Sequence, residues 1–373
     1  MRFTSIVFAL SFALHCTAAS AIPPVSLARV PDVGIQPQLV SDRHGHVHLL
    51  YYRADGGSPE QGHLYYRKYA QSSQRWLDPI QVSTTPYRNS GTIGRASMLV
   101  DDTNRIHVSW FKMSNATYYY SRSNLETSGF EMERSLVAAR AGAVEAGAGL
   151  AAYGDRVTLS WHAGPLDSES TRTVFNVSSM DGGNTFSTAT EIGDPKLGAC
   201  ACCGLAAGFN GKGELSVSYR TAVNGEGRHM QLLTLNDGAG ETRLIHPWNL
   251  NACPVSTSHM GRDTNRRNWL VFETKGRVYQ VLLAGQEMNP TAVRAPVTKT
   301  RQKHPAMAFN GSGEKAVVWG EGFGFFSGGH LTLQLFDAAG DAIPSINTLD
   351  IEIPDNSFAA VTALADGSFM VLY

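Results

Sequence analysis

The chain has 373 residues, of which 43% are hydrophobic, so it can bury a large core as one repeat architecture or as two to three average domains. Its 31 basic and 32 acidic residues nearly cancel. This balance gives no electrostatic basis for binding nucleic acid or an anionic membrane surface, and we predict neither partner.

The first 21 residues are predicted to be a signal peptide. Arg2 supplies a positive start, residues 3–14 form an apolar run, and small residues follow it. We expect cleavage after Ala19 or Ala21. The run is too short to span a bilayer, and no later stretch of 18 apolar residues exists. We therefore predict a secreted or periplasmic protein with one domain, residues 22–373.

A repeat of about 50 to 60 residues runs through the rest of the chain. Each unit has an apolar strand, a polar turn and a second strand that ends in an aromatic residue. These aromatics are Tyr51, Trp110, Trp161, Tyr219, Phe272 and Trp319. The spacing favours an all-β propeller with six or seven blades. The number of blades is seven if residues 25–30 complete the partial copy formed by residues 358–373. Six blades is the alternative.

A histidine run in the first copy, His44, His46 and His48, suggests a metal site at first sight. It occupies the predicted inner hairpin, however. We interpret it as a solvated turn with one packed histidine.

The third copy contains the octapeptide Ser179-Met180-Asp181-Gly182-Gly183-Asn184-Thr185-Phe186. It matches the Asp-box pattern at Ser179, Asp181, Gly183, Thr185 and Phe186. We expect Asp181 to accept backbone N–H groups within the turn, Gly183 to take a conformation that other residues avoid, and Phe186 to pack on its blade. The motif predicts a structural hairpin rather than a reactive site.

On this motif and the repeat, the chain resembles the sialidase superfamily of Asp-box (BNR-repeat) proteins. The resemblance implies a sialidase-like propeller. True sialidases hold the substrate carboxylate with three arginines, and here only Arg220 is a candidate. The segment Ala28-Arg29-Val30-Pro31 lacks the aromatic residue of the family's first arginine motif. Sialidase activity is therefore not predicted.

Four of the five cysteines follow the predicted signal peptide: Cys200, Cys202, Cys203 and Cys253. They lie just before the inner strands of the fourth and fifth copies, so we expect them to meet near the propeller axis. The Cys-x-Cys-Cys and Cys-Pro motifs also resemble a subgroup of bacterial exported Asp-box proteins.

Two interpretations of the cysteines remain open. An even number of cysteines in an exported protein predicts disulfides, which we favour. Clustered thiolates also suit copper(I) or zinc, and the site would then be a metal or redox site. Met98, His259 and His304 are candidates for additional ligands, because we expect them to project toward the same channel.

The loops that leave each second strand share a face with the cysteine loops. This face carries His162, Arg220, Glu273 and Glu321, our candidates for catalytic residues. We predict a ligand, either a glycan or a metal, at the mouth of this face. One alternative is a glycoside hydrolase or lyase, with Glu273, Glu321 or His162 as acid/base and Arg220 as anion clamp. The other is a periplasmic copper-binding or thiol-redox protein.

Overall fold

The computed structural model describes residues 22–373 except 57, 89–93, 113–114, 138–146, 166, 201, 237–238, 286, 295–298, 325–326 and 345–348. The predicted signal peptide, residues 1–21, lies outside the described residues. Within them the protein is all-β, with three short 3-10 turns at Pro31–Val33, Gln71–Ser73 and Glu169–Thr171. No helix in this part of the chain is long and apolar enough to cross a membrane.

The strands form seven sheets, one for each blade. The first strand, β1 (Val25–Ala28), belongs to the last blade. Blade 1 contains β2 (Ile35–Ser41), β3 (Val47–Asp55), β4 (Ser58–Ala70) and β5 (Arg75–Trp76), and β6 (Ile80–Gln81) and β7 (Tyr87–Arg88) also pair with β4. Blade 2 contains β8 (Ser97–Val100), β9 (Ile106–Lys112), β10 (Thr117–Arg122) and β11 (Arg134–Ser135). Blade 3 contains β12 (Gly149–Tyr153), β13 (Arg156–Ala163), β14 (Thr173–Ser179) and β15 (Thr190–Glu191).

The remaining blades follow the same order. Blade 4 contains β16 (Ala206–Phe209), β17 (Leu215–Arg220), β18 (Met230–Asn236) and β19 (Ala239–His246). Blade 5 contains β20 (Ser258–Arg262), β21 (Asn268–Thr274), β22 (Arg277–Leu282) and β23 (Thr291–Ala292). Blade 6 contains β24 (Gln302–Phe309), β25 (Lys315–Glu321) and β26 (His330–Phe336). Blade 7 contains β27 (Ala360–Ala363), β28 (Phe369–Leu372) and β1.

The ring closes through β1, as the sequence predicts. It pairs with β28 in parallel, with Val25 opposite Phe369 and Ala28 opposite Leu372. Each inner strand lies beside the inner strand of the next blade, and β27 lies beside β2. The blade number is therefore seven, and the alternative of six is wrong.

Polar turn residues join the inner strand to the second strand in most blades. In five blades one side-chain oxygen accepts the backbone N–H groups two and four residues further along; the residues are Asp42, Asp101, Asn210, Asp263 and Asn310. At turns, short polar side chains commonly accept hydrogen bonds from backbone N–H groups that have no strand partner. The predicted hairpin chemistry is thereby confirmed.

The histidine run of blade 1 is a turn with one packed histidine, as predicted. His44 is exposed, whereas His48 is buried between Asp42 and Tyr66. Its Nδ1 lies 2.7 Å from the Tyr66 hydroxyl and its Nε2 lies 3.3 Å from Asp42 Oδ2.

The octapeptide of blade 3 connects β14 to β15, where the sequence places it. Asp181 accepts hydrogen bonds from the Thr185 N–H at 2.8 Å and the Thr185 hydroxyl at 2.6 Å. Gly183 has φ +78°, and a Cβ there would collide with the Tyr120 hydroxyl of blade 2. Phe186 packs edge-on against Tyr120, with ring centroids 5.0 Å apart. The hairpin therefore joins two blades as a structural element.

Candidate functional site

The two cysteine segments converge at one face of the ring. Residues 200–203 precede β16 and Cys253 precedes β20, and these are neighbouring inner strands. The Gly204 N–H donates to the Ser256 carbonyl at 3.2 Å, which ties the two segments together. Sequence-distant cysteines meet here because equivalent positions of adjacent blades are neighbours.

Four sulfur atoms form a cluster, which we call the cysteine cluster (Cys200, Cys202, Cys203 and Cys253); the first three residues are buried and Cys253 is exposed. A disulfide joins Cys202 to Cys253, whereas Cys200 and Cys203 are free thiols. Cys200 Sγ lies 3.4 Å from both Cys202 Sγ and Cys203 Sγ, and the latter two atoms are 3.8 Å apart. Of the two disulfides that we favoured, the structure shows one, and the other two cysteines are free thiols.

Cationic side chains surround the two thiols. Arg220, at the end of β17, is 1% exposed. Its guanidinium donates to the Arg228 carbonyl at 2.7 Å and to the Ser256 hydroxyl at 3.1 Å, and it lies over the Trp248 ring. Lys303 Nζ donates to Glu273 Oε2 at 2.9 Å and to the Pro254 carbonyl at 2.6 Å.

These surroundings set the protonation of the thiols. Burial raises the pKa of Cys203, but the hydrogen bond from Cys200 and the charge of Arg220 outweigh it and bring that pKa to about 7. The pKa of Cys200 is raised, first by its hydrogen bond to Cys203 and then by burial. Cys203 is therefore the more acidic thiol of the pair.

A second group of charges lies beside Cys200. Arg228 Nη1 is 2.5 Å from Glu169 Oε2, and Arg172 Nη1 is 3.6 Å from Glu169 Oε1. The positive charges of Arg172 and Arg228 act on Cys200 and compensate the charge of Glu169. The cysteine cluster is thus enclosed by ion pairs rather than by apolar side chains alone.

The four candidates for catalytic residues are all buried, with exposures of 0% for His162, 1% for Arg220, 0% for Glu273 and 4% for Glu321. The structure therefore does not place them on an open rim. Glu321 is held by the Gln302 amide at 3.0 Å and the Trp319 indole at 3.2 Å. Burial and the charge of Arg172 lower the pKa of His162 to about 3, so its ring is neutral. Their catalytic role stays a prediction.

The three possible extra ligands line the central channel. Met98, His259 and His304 come from the inner strands of blades 2, 5 and 6. Among the described residues, one group of three or more His, Cys, Asp or Glu side chains has its donor atoms within 4.8 Å of one another, namely Cys200, Cys202 and Cys203, without a histidine. The channel histidines and the cysteine cluster are separate groups.

Sequence reasoning missed several residues of this site, namely Glu169, Arg228, Ser256 and Lys303. Lys303 had a usable signal, because it stands beside His304 at the start of an inner strand. Glu169 and Arg228 lie in loops whose course no repeat pattern predicts.

Comparisons with solved structures agree with the architecture. No family model matches the sequence, and no curated protein matches it. An α-L-arabinanase from Penicillium chrysogenum superposes with a TM-score of 0.54 at 8% identity, over 83% of this chain and 95% of the arabinanase. An ulvan lyase superposes with a TM-score of 0.50 at 14% identity, over 91% and 87% of the two chains.

A Hadza microbial sialidase superposes with a TM-score of 0.50 at 12% identity, over 82% of this chain and 69% of the sialidase. The chain has a sialidase-like propeller fold. At these identities the likeness concerns the fold alone, because one fold hosts many functions.

Proposed function

We propose that this protein is an exported propeller whose functional centre is the cysteine cluster, where it binds a soft metal ion, copper(I) in preference to zinc. Thiolates are the ligands that copper(I) prefers. The observation that carries the proposal is the sulfur geometry, with Cys200 Sγ, Cys202 Sγ and Cys203 Sγ at mutual distances of 3.4 to 3.8 Å.

These distances suit metal coordination. Thiolates bound at about 2.3 Å around one ion are separated by about 3.8 to 4.0 Å. The three sulfur atoms need to move apart by only a few tenths of an ångström. Cys200 and Cys203 are available as they stand, and reduction of the disulfide would add Cys202 and Cys253.

The charge around the site supports an anionic cluster. Arg220 is a buried cation whose hydrogen-bond partners are neutral, and in the described residues it has no carboxylate within ion-pair distance. A buried charge needs a compensating charge. A thiolate, free or bound to a metal, provides that charge, whereas two neutral disulfides do not.

The test is copper binding by the full mature chain under anaerobic conditions. Competition with a chromophoric copper(I) chelator should give one ion per chain, and elemental analysis of protein purified from its own compartment should find it. The double substitution Cys200→Ser/Cys203→Ser should abolish binding. A second double substitution, Cys202→Ser/Cys253→Ser, reports whether the disulfide cysteines contribute.

The matched control is His44→Gln in the exposed turn of blade 1, which should leave copper binding unchanged. Four oxidised cysteines with less than a tenth of an ion per chain would overturn the proposal. Export is tested separately by N-terminal sequencing of the mature protein, which should begin at Ser20 or Ile22.

Glycan binding is a second candidate, favoured by a polar cleft of about 470 Å³ between blades 4 and 5. Lys212, Arg243, Arg266, Glu241 and Asn268 line it. Its volume falls in the range of about 300 to 1,000 Å³ that is typical of organic ligands. The glycan-active structural neighbours lend it support. A glycan array with wild type and Arg243→Ala tests it; equal signals from both would remove it.

Glycan hydrolysis at the predicted residues receives less support. A glycosidase needs two carboxyl groups that face the scissile bond. Glu273 is engaged by Lys303, and Glu321 by Gln302 and Trp319. Release of sugar from sialosides, lost in Glu273→Gln, would restore the hydrolase alternative.

A further inference from the structure

The central channel holds a small cavity that the inner strands of all seven blades surround. Its volume is about 130 Å³. This is well below the roughly 300 Å³ at which pockets for organic ligands begin, so the cavity suits a small ligand.

Three side chains on the channel wall present hydrogen-bond donors. Arg95 precedes β8, His259 lies on β20 and His304 begins the inward-facing part of β24. The Met307 N–H donates to His259 Nδ1 at 3.4 Å, which leaves the ring proton on Nε2. A guanidinium only donates.

His304 has an incomplete set of partners. Its Nδ1 lies 3.1 Å from the Thr257 hydroxyl, whereas its Nε2 is buried without a partner among the described residues. The residue is 2% exposed. A buried polar atom without a hydrogen bond is costly, which is why such atoms usually have a protein or ligand partner.

The charge of the cavity is positive. No Asp or Glu is present among the described residues that line it. Arg95 lies over the Phe358 ring at 5.3 Å and has no carboxylate at ion-pair distance in the part of the chain described. Burial and the charge of Arg95 lower the pKa of His259 to about 4 and hold that of His304 well below its ordinary value. Both rings are therefore neutral donors beside one cation.

The acidic group that acts on Arg95 is the Cys203 thiol. Arg220 and Lys303 share the charge of that thiolate. One thiolate therefore faces three cations, of which only Lys303 has a carboxylate partner among the described residues.

We propose that the central channel binds one small inorganic oxyanion, such as phosphate or sulfate, between the Arg95 guanidinium and the Nε2–H groups of His259 and His304. In this assignment the Thr257 hydroxyl donates to His304 Nδ1. The planar fork of an arginine matches the oxygens of such an anion, and charge-assisted hydrogen bonds of this kind are the stronger ones. The oxyanion supplies the acceptors and the negative charge that the cavity lacks.

The test is calorimetric titration of the full mature chain with sulfate and with phosphate in a buffer of large organic anions. One site per chain is expected, together with a rise in melting temperature. Arg95→Gln should weaken binding by about tenfold or more, because it removes a charge-assisted pair. Arg29→Gln is the matched control: Arg29 is exposed and lies over Tyr373, outside the channel.

A second measurement uses the wild type, so the proposal can be tested even if Arg95→Gln does not fold. The ring N–H signals of His259 and His304 should shift on addition of sulfate in nuclear magnetic resonance spectra. Absence of both heat and shifts overturns the proposal, as does equal affinity in a folded Arg95→Gln variant. Oxyanion binding should persist in Cys200→Ser/Cys203→Ser. Failure of the oxyanion proposal is therefore distinguishable from failure of the copper proposal.

Discussion

Removal of the closing strand is the most direct test of how the ring is held. We expect deletion of residues 22–28 to lower the free energy of unfolding by roughly 3 to 5 kcal/mol, at about 1 kcal/mol for each lost hydrogen bond. The strand pairs over four residues with β28, and the Pro24 and Ala28 carbonyls accept the N–H groups of Phe369 and Tyr373 at 2.8 and 3.2 Å.

Hydrophobic burial contributes a smaller part of this loss. Of the deleted residues, Pro23 is buried and Val25 is half-buried, whereas Ser26, Leu27 and Ala28 are exposed. Backbone hydrogen bonding therefore carries most of the effect. At about 2 to 4 °C per kcal/mol for chains of 150 to 250 residues, and less for longer ones, the melting temperature should fall by roughly 5 to 10 °C.

Thermal denaturation followed by circular dichroism measures this change, with size-exclusion chromatography to detect association through the exposed edge of β28. The control is Leu27→Ser in the full chain, which retains the backbone pairing and should change the melting temperature by less than 2 °C. A deletion variant with the same melting temperature as the wild type would refute closure of the ring by this strand.

Three further predictions concern single features. Gly183→Ala should destabilise the protein by about 2 kcal/mol or more in urea denaturation, because it combines a positive φ with a steric collision. Glu273→Gln should cost about 3 kcal/mol, because it leaves the buried Lys303 without its anion. Stability should fall as pH is lowered from about 6.5 toward 4. The pKa values of His48 and His162 are lowered to about 4 and about 3 in the folded protein, mainly by burial, so the unfolded chain takes up protons first.

Each of these predictions has a matched comparison. Gly225→Ala has a similar φ of +77° but nothing within 4 Å of the new Cβ, so it should cost clearly less than Gly183→Ala. Glu241→Gln removes an exposed carboxylate and should be nearly neutral. Stability that is equal at pH 7 and pH 5 would contradict buried neutral histidines, and His48→Gln should flatten the pH dependence.

The fold could be predicted from the sequence because the same pattern of residues recurs in each blade. The alternation of apolar strand, polar turn and aromatic-ended strand recurs in six copies, and Trp110, Trp161 and Trp319 are buried as core residues. The pairing of residues 25–28 with the last copy also follows, since an incomplete blade needs a partner strand.

Only part of the candidate site could be predicted from the sequence. Repeat register brings Cys203 and Cys253 together, but it does not determine which sulfur atoms bond. It also places Glu273 and Glu321 at strand ends without showing that loops cover them. Loop conformations depend on contacts such as Glu169 with Arg228, which have no periodic signature.

The parallel pairing of β1 with β28 also has a kinetic consequence. Ser26 donates a hydrogen bond to the Phe369 carbonyl across a sequence separation of 343 residues. β1 can pair with β28 only after the whole intervening chain is available. Contacts of such separation slow folding and lengthen the time for which unpaired strand edges are exposed. Completion of the ring is therefore expected to be the late, chaperone-sensitive step in the maturation of this protein.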